Sequence, residues 1–143
     1  MNTTPVQTVA AALIAARQAR QPADDTALAA LLTSAEQAYA VQALVAQTLP
    51  GTGRRPAWKS GGPSRSAPLT HARLPDAGVW TSPAVTGQFH FHLRLIEAEI
   101  ALRLGDDVTP AQAAALTPES ASNLVEAMAV SIEMVDSRWQ QGT

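Results

Sequence analysis

The chain has 143 residues, enough for one domain with a moderate core, and its 46% apolar content is that of a folded protein. A formal charge of -2 offers no basic field for nucleic acid and no polybasic handle for a membrane, and the lack of cysteine excludes disulfides, thiolate metal sites and cysteine nucleophiles. No apolar run approaches the roughly 18 residues that span a bilayer, and the mild apolar stretch Val9–Ala16 lacks a basic segment before it, so no secretory leader is expected and the protein is read as cytoplasmic.

Thr4-Pro5 has the pattern of an N-cap followed by proline at the first helical position, and predicts an alanine-rich helix from Pro5 to about Arg20. Thr26–Leu32 reads as a short helical piece. Ser34 with Gln37 predicts a capping box that opens a helix through about Thr48, with Ala38, Val41, Leu44 and Val45 on one face; Leu49-Pro50-Gly51 stops it. From Gly51 to Gly87 the composition changes: half of the ten prolines and most of the eight glycines fall here, together with Trp58 and Trp80. Ordered loops around short strands are expected, because a mere linker rarely carries tryptophan.

Gln88–Leu93 alternates polar and apolar side chains and predicts extended chain. Ile96, Ala98, Ile100 and Leu102 then share one face of a strand at period two, and Gly105-Asp106-Asp107 is a turn. Thr109-Pro110 and Thr117-Pro118 each look like a cap and first helical residue, giving two short helices, and Met128–Val135 reads as a further strand.

Three features carry potential chemistry. In Leu95–Leu104 a strand places Glu97 and Glu99 on the face opposite Ile96, Ala98 and Ile100. Two adjacent carboxylates repel unless positive charge lies between them. A hard divalent cation such as Mg2+ or Mn2+ answers that need; so does a solvated face with Arg94 or Arg103 offsetting the charge. Glu133, between Ile132 and Met134, wants a partner too: a third place on the same cation, a salt bridge to Arg138, or an outward orientation. Finally, nine arginines accompany one lysine, Lys59. Codon bias explains that, as does a position where only an amine that can lose its proton will serve; composition alone favours the first.

The order and wording of these segments resemble the 2-keto-4-pentenoate hydratases and 2-oxo-hepta-3-ene-1,7-dioate hydratases of the fumarylacetoacetate hydrolase superfamily. The matching pieces are Ala35-Glu36-Gln37-Ala38-Tyr39-Ala40-Val41-Gln42, Trp58-Lys59-Ser60-Gly61, Pro75-Asp76-Ala77-Gly78, Ile96-Glu97-Ala98-Glu99-Ile100-Ala101 and Glu133-Met134-Val135-Asp136-Ser137-Arg138. They span roughly Ser34 to Trp139. The resemblance implies an α+β fold: N-terminal helices over residues 1–50, then over 51–143 the first part of a mixed β-roll of the fumarylacetoacetate hydrolase type, truncated relative to the family, within one structural domain.

It implies that Glu97, Glu99 and Glu133 are metal ligands for Mg2+ or Mn2+, that Lys59 is the active-site lysine, and that Asp76 is an acid or base near the substrate. The implied partners are a small 2-oxo acid and further copies of the chain in a homo-oligomer. The implied reaction is hydration of a 2-hydroxy-dienoate through a metal-stabilised enolate, as in aromatic catabolism. The same enolate chemistry serves related decarboxylases and C–C bond hydrolases, and a shortened chain could instead be a non-catalytic remnant. Ala77 stands where the family has phenylalanine, and Gly61-Gly62-Pro63-Ser64 replaces its G-L-T; both departures bear on the substrate and leave the metal positions untouched.

The other candidates read as structural. His90 and His92 alternate, but a hard-metal carboxylate site rarely needs imidazole. His71 belongs to a loop, Trp58 and Trp80 to packing, and Arg54-Arg55 to a solvated turn that would also attract an anion. Ser64 and Ser66 lack the G-x-S-x-G elbow of a serine hydrolase.

Overall fold

The structure is a computed structural model that describes residues 3–51, 53 and 56–141; the Arg54-Arg55 turn lies outside the described residues. The architecture is α+β, with helices and two separate two-stranded antiparallel sheets. The chain divides into two compact units, Met1–His92 with Ser137–Thr143, and Leu93–Asp136.

The larger unit is organised by helix α1 (Pro5–Ala19) and helix α2 (Ala35–Gln47). Thr4 caps α1 through a complete capping box: its hydroxyl accepts from Gln7 N–H and Gln7 returns the bond to Thr4 N–H, satisfying two otherwise orphaned donors. Arg20 ends the helix in the left-handed conformation, φ 55°. Ser34 caps α2 as expected, but the reciprocal half goes elsewhere: Gln37 Oε1 accepts from the N–H and hydroxyl of Thr33, not from Ser34 N–H. Val6, Val9, Ala10 and Leu13 recur at helical spacing and pack with Val41, Leu44 and Val45 of α2, Leu28, Leu32 and Trp139. Ala38, expected on that face, is exposed. The expected helical piece at Thr26–Leu32 narrows to a 3-10 turn over Ala29–Leu31. Trp139 is drawn in by backbone bonds on either side of Ala23, from Ala23 N–H to Arg138 O (2.7 Å) and from Gln140 N–H to Ala23 O (2.9 Å).

The Pro/Gly-rich middle is ordered around strand β1 (Trp58–Gly61) and strand β2 (Thr70–Arg73), which pair antiparallel with Lys59 opposite Ala72. Tyr39 of α2 lies stacked against the ring of His71, with centroids 4.7 Å apart, and its hydroxyl accepts from His71 N–H. Gln88–Leu93 is not the extended segment that its alternation predicts. A turn at Thr86–Phe89 interrupts it (Phe89 N–H to Thr86 O, 3.0 Å), and Phe89 packs against Trp80 instead of joining a sheet.

The smaller unit is a hairpin of strand β3 (Leu95–Leu104) and strand β4 (Val125–Val135). Between them lie two five-residue helices, α3 (Pro110–Ala114) and α4 (Pro118–Ser122), each opened by the expected Thr-Pro pair with a capping box. β4 starts three residues earlier than its sequence pattern predicts. One face of the hairpin is a continuous apolar stripe, Ile96, Ala98, Ile100 and Leu102 opposite Met134, Ile132, Val130 and Met128. That stripe is solvent-exposed: Val130 by 78% and Ile132 by 71%.

Carboxylates at two helix starts add a pH dependence. The Ser34 hydroxyl, and then its own N–H, hold Glu36 below the ordinary glutamate range; its own N–H, and then the Thr117 hydroxyl, do the same for Glu119. A depressed folded-state pKa stabilises above the unfolded value and is lost as pH falls through the folded one, so both contributions fade only on acidification below the usual glutamate range.

Two outcomes are expected. Thr4→Ala should lower stability by about 1 kcal/mol in urea unfolding, the usual cost of losing an N-cap. Val130→Lys should reduce binding of a hydrophobic dye while stability stays within about 0.5 kcal/mol, as for a surface substitution; unchanged dye binding would mean that the stripe is covered in solution.

Candidate metal centre

The acidic site lies on the other face of the hairpin, and its geometry follows from strand register. β3 and β4 pair Glu97 directly with Glu133 and Glu99 with Ser131. At the end next to the connection the register shifts: Leu104 pairs Val125 but Arg103 pairs Ala127, so Glu126 is an extra, bulged residue. A regular ladder continued from Leu104–Val125 would set Ile96 opposite Glu133 and Glu97 opposite Ile132. Glu133 would then lie on the apolar face. The bulge restores the parity that gathers all three glutamates on one side.

Each end of the ladder is fastened. At the bulge, the Arg103 guanidinium meets Glu126 across the strands at 3.2 Å, and Gly105 N–H donates to Leu124 O. At the other end, Leu93 N–H donates to the carboxylate of Asp136 at 3.0 Å, just before Arg94 turns through a positive φ of 54° into β3. Arg103, one of two cations that could have offset Glu97 and Glu99, is thus engaged by Glu126.

One carboxylate oxygen from each of Glu97, Glu99 and Glu133 lies within 4.8 Å of the others, with Glu97 exposed and the other two half-buried. Like charges placed directly opposite across a ladder destabilise it, by an amount of the order of a few tenths of a kcal/mol to 1 kcal/mol. Oxygens on one ion with bonds of about 2.1 Å lie about 3 to 4.2 Å apart, and the three carboxylates, grouped within 4.8 Å, are of that size. The donor set is all hard oxygen, which suits Mg2+ or Mn2+ and leaves positions for water or a chelating ligand. The residues therefore fit a divalent cation.

The remaining candidates belong to the larger unit. Lys59 is half-buried in β1, on the sheet face opposite Trp58 and Ser60. Asp76 opens a 3-10 turn, Asp76–Gly78; its side chain is 5% exposed and meets the Arg73 guanidinium at 3.3 Å. Arg73 was not singled out in the sequence, although an i, i+3 Arg–Asp pair flanking a Pro turn is a visible signal. The rings of His90 and His92 stand edge to face at 4.9 Å, and neither belongs to the acidic group.

Comparison of the chain with protein-family models, with curated proteins and with solved structures found no match.

The triad makes a direct expectation. Titration with Mn2+ should raise the melting temperature of the protein, by the equivalent of about 2.7 kcal/mol at a hundredfold excess over Kd. Glu97→Gln should bind at least tenfold more weakly by calorimetry and lose most of that rise; wild-type affinity in the variant would remove Glu97 from the ligand set.

Proposed function

We propose that the chain is a divalent-metal-dependent hydratase of the 2-keto-4-pentenoate hydratase type, within the fumarylacetoacetate hydrolase superfamily, acting in the cytoplasm on an unsaturated 2-oxo acid. The observation that carries the reading is the meeting of Glu97, Glu99 and Glu133, two neighbours and a residue more than thirty positions away, on one face of a ladder whose other face is apolar. The sequence motifs around Lys59 and Asp76 agree with it. On this reading the β3–β4 hairpin is part of the superfamily's β-roll, and the protein acts as a homo-oligomer.

A bound Mg2+ or Mn2+ would supply Lewis acidity toward the oxygens of a 2-oxo acid. The three glutamates would hold it, and their common face would then be the side of the hairpin that meets the substrate. By the family resemblance, Lys59 would donate a proton or hydrogen bond to the oxygen where negative charge develops. Asp76, paired with Arg73, would by the same resemblance accept or return a proton on the carbon chain as water adds. The same enolate chemistry serves decarboxylation and C–C bond hydrolysis as alternative outcomes at such a site.

One observation favours a second reading. The exposed stripe from Ile96 to Leu102 and Met128 to Met134 suits a chain that self-associates, as a non-catalytic relative of such enzymes would.

The deciding experiment is an ultraviolet assay of 2-hydroxypenta-2,4-dienoate. Loss of the dienol signal should require Mn2+ or Mg2+, stop in EDTA, and fall by two or more orders of magnitude in Lys59→Met. Turnover that survives EDTA refutes the metal-dependent reading; no turnover together with retained Mn2+ binding and a stable oligomer favours the second.

A further inference from the structure

The apolar face of the β3–β4 hairpin stands open to water, and its chemistry limits what can cover it. Strand alternation sets Ile96, Ala98, Ile100 and Leu102 beside Met134, Ile132, Val130 and Met128, with no charged or polar side chain among them. Six of these are both large and exposed, from 57% at Leu102 to 78% at Val130. At about 3.4 Å per residue the stripe runs for roughly 20 Å along the strands. Contiguous hydrocarbon on this scale marks an interaction surface.

A large aliphatic side chain carries about 60–120 Å² of hydrocarbon on the area scale of its burial. At the observed exposures the six leave roughly 250–500 Å² per copy, so two such faces laid together cover roughly 500–1,000 Å². A stable interface of standard size needs about 1,200–2,000 Å², and weak, reversible ones lie below that. The stripe is therefore too small for an obligate dimer and of the right size for a reversible one. Charge selects the face as well. The reverse of the hairpin carries Glu97, Glu99 and Glu133, whose burial against a second copy would cost desolvation that the stripe avoids. The relief is also self-complementary: Ala98 leaves a dip directly beside Ile132. A two-fold axis between stacked sheets, parallel to the strands, sets β3 of one copy over β4 of the other, so that each dip receives Ile132 of the other copy.

We propose that two copies of the chain pair reversibly, face to face through this stripe, as stacked two-stranded sheets about 10 Å apart. The hairpin edges stay free, and the acidic faces point outward in opposite directions. All eight side chains belong to one compact unit, and the pairing depends neither on a metal nor on hydratase activity.

The test is analytical ultracentrifugation of the full chain, in EDTA, from micromolar to near-millimolar concentration. A monomer–dimer equilibrium with a Kd in that range is expected, and Val130→Lys should weaken it by about tenfold or more with an unchanged circular dichroism spectrum. The chain has no cysteine, so single cysteines report the geometry cleanly. Ile132→Cys copies should cross-link through a short bismaleimide, and Ala129→Cys copies, exposed on the opposite face, should not. That pair of variants decides the matter should Val130→Lys fail to fold. A chain that stays monomeric throughout, a dimer that persists on dilution well below micromolar, wild-type association in folded Val130→Lys, cross-linking of Ala129→Cys as readily as of Ile132→Cys, or open-ended oligomers from edge pairing each overturns the proposal.

Discussion

The parity of the β3–β4 ladder decides what the hairpin can do. Side chains alternate strictly along a strand, so one residue of slippage exchanges the faces of a whole segment. Here the connection between the strands delivers Val125 opposite Leu104, the wrong parity for a three-carboxylate site, and a single unpaired residue, Glu126, corrects it before the ladder reaches Ala127. The Arg103–Glu126 ion pair sits at that correction. Being exposed, it contributes little stability by itself. Its significance lies in location: it engages the bulged side chain, and it removes Arg103 from competition for Glu97 and Glu99.

Elsewhere the molecule is held together with little buried apolar surface. Val9, Ala10, Ala16 and Val41 are the buried apolar side chains among the described residues, and a fully buried valine contributes about 1.5–3 kcal/mol. Local devices therefore carry much of the definition: the capping boxes at Thr4, Thr109 and Thr117, the Ser34 cap, the Tyr39–His71 stack and the backbone bonds flanking Ala23.

Much of this was legible in the chain itself, for identifiable reasons. Thr-Pro pairs followed three residues later by Gln or Ser announce a helix start with a mechanism, and α1, α3 and α4 begin where they predict. Period-two patterning located β3, because ten residues of alternation are hard to mistake. Gln88–Leu93 alternates as well, over a shorter span, but the Trp80–Phe89 contact and the turn at Thr86 outweigh six residues of pattern. The bulge was invisible because nothing in Val125-Glu126-Ala127 marks the middle residue as unpaired. The acidic face was consequently nameable only as a possibility from Glu97 and Glu99; bringing in Glu133 required a register that the sequence does not print.

The two faces of the hairpin bear on function together. The alternation that sets Glu97 and Glu99 side by side necessarily sets Ile96, Ala98 and Ile100 side by side on the reverse, and the partner strand doubles the apolar stripe and adds Glu133 to the acidic one. A cation on the acidic face relieves repulsion along the ladder; a covering surface on the apolar face removes hydrocarbon from water. The two forms of stabilisation act on the same backbone bonds, so ordering on one face stiffens the strands that present the other. If the hairpin serves as a metal centre, its rigidity there depends on what lies against Val130 and Ile132. If it serves for assembly, charge on the acidic face governs how firmly the apolar stripe is held flat. Metal binding and association are then linked equilibria, each expected to strengthen the other through a shared register.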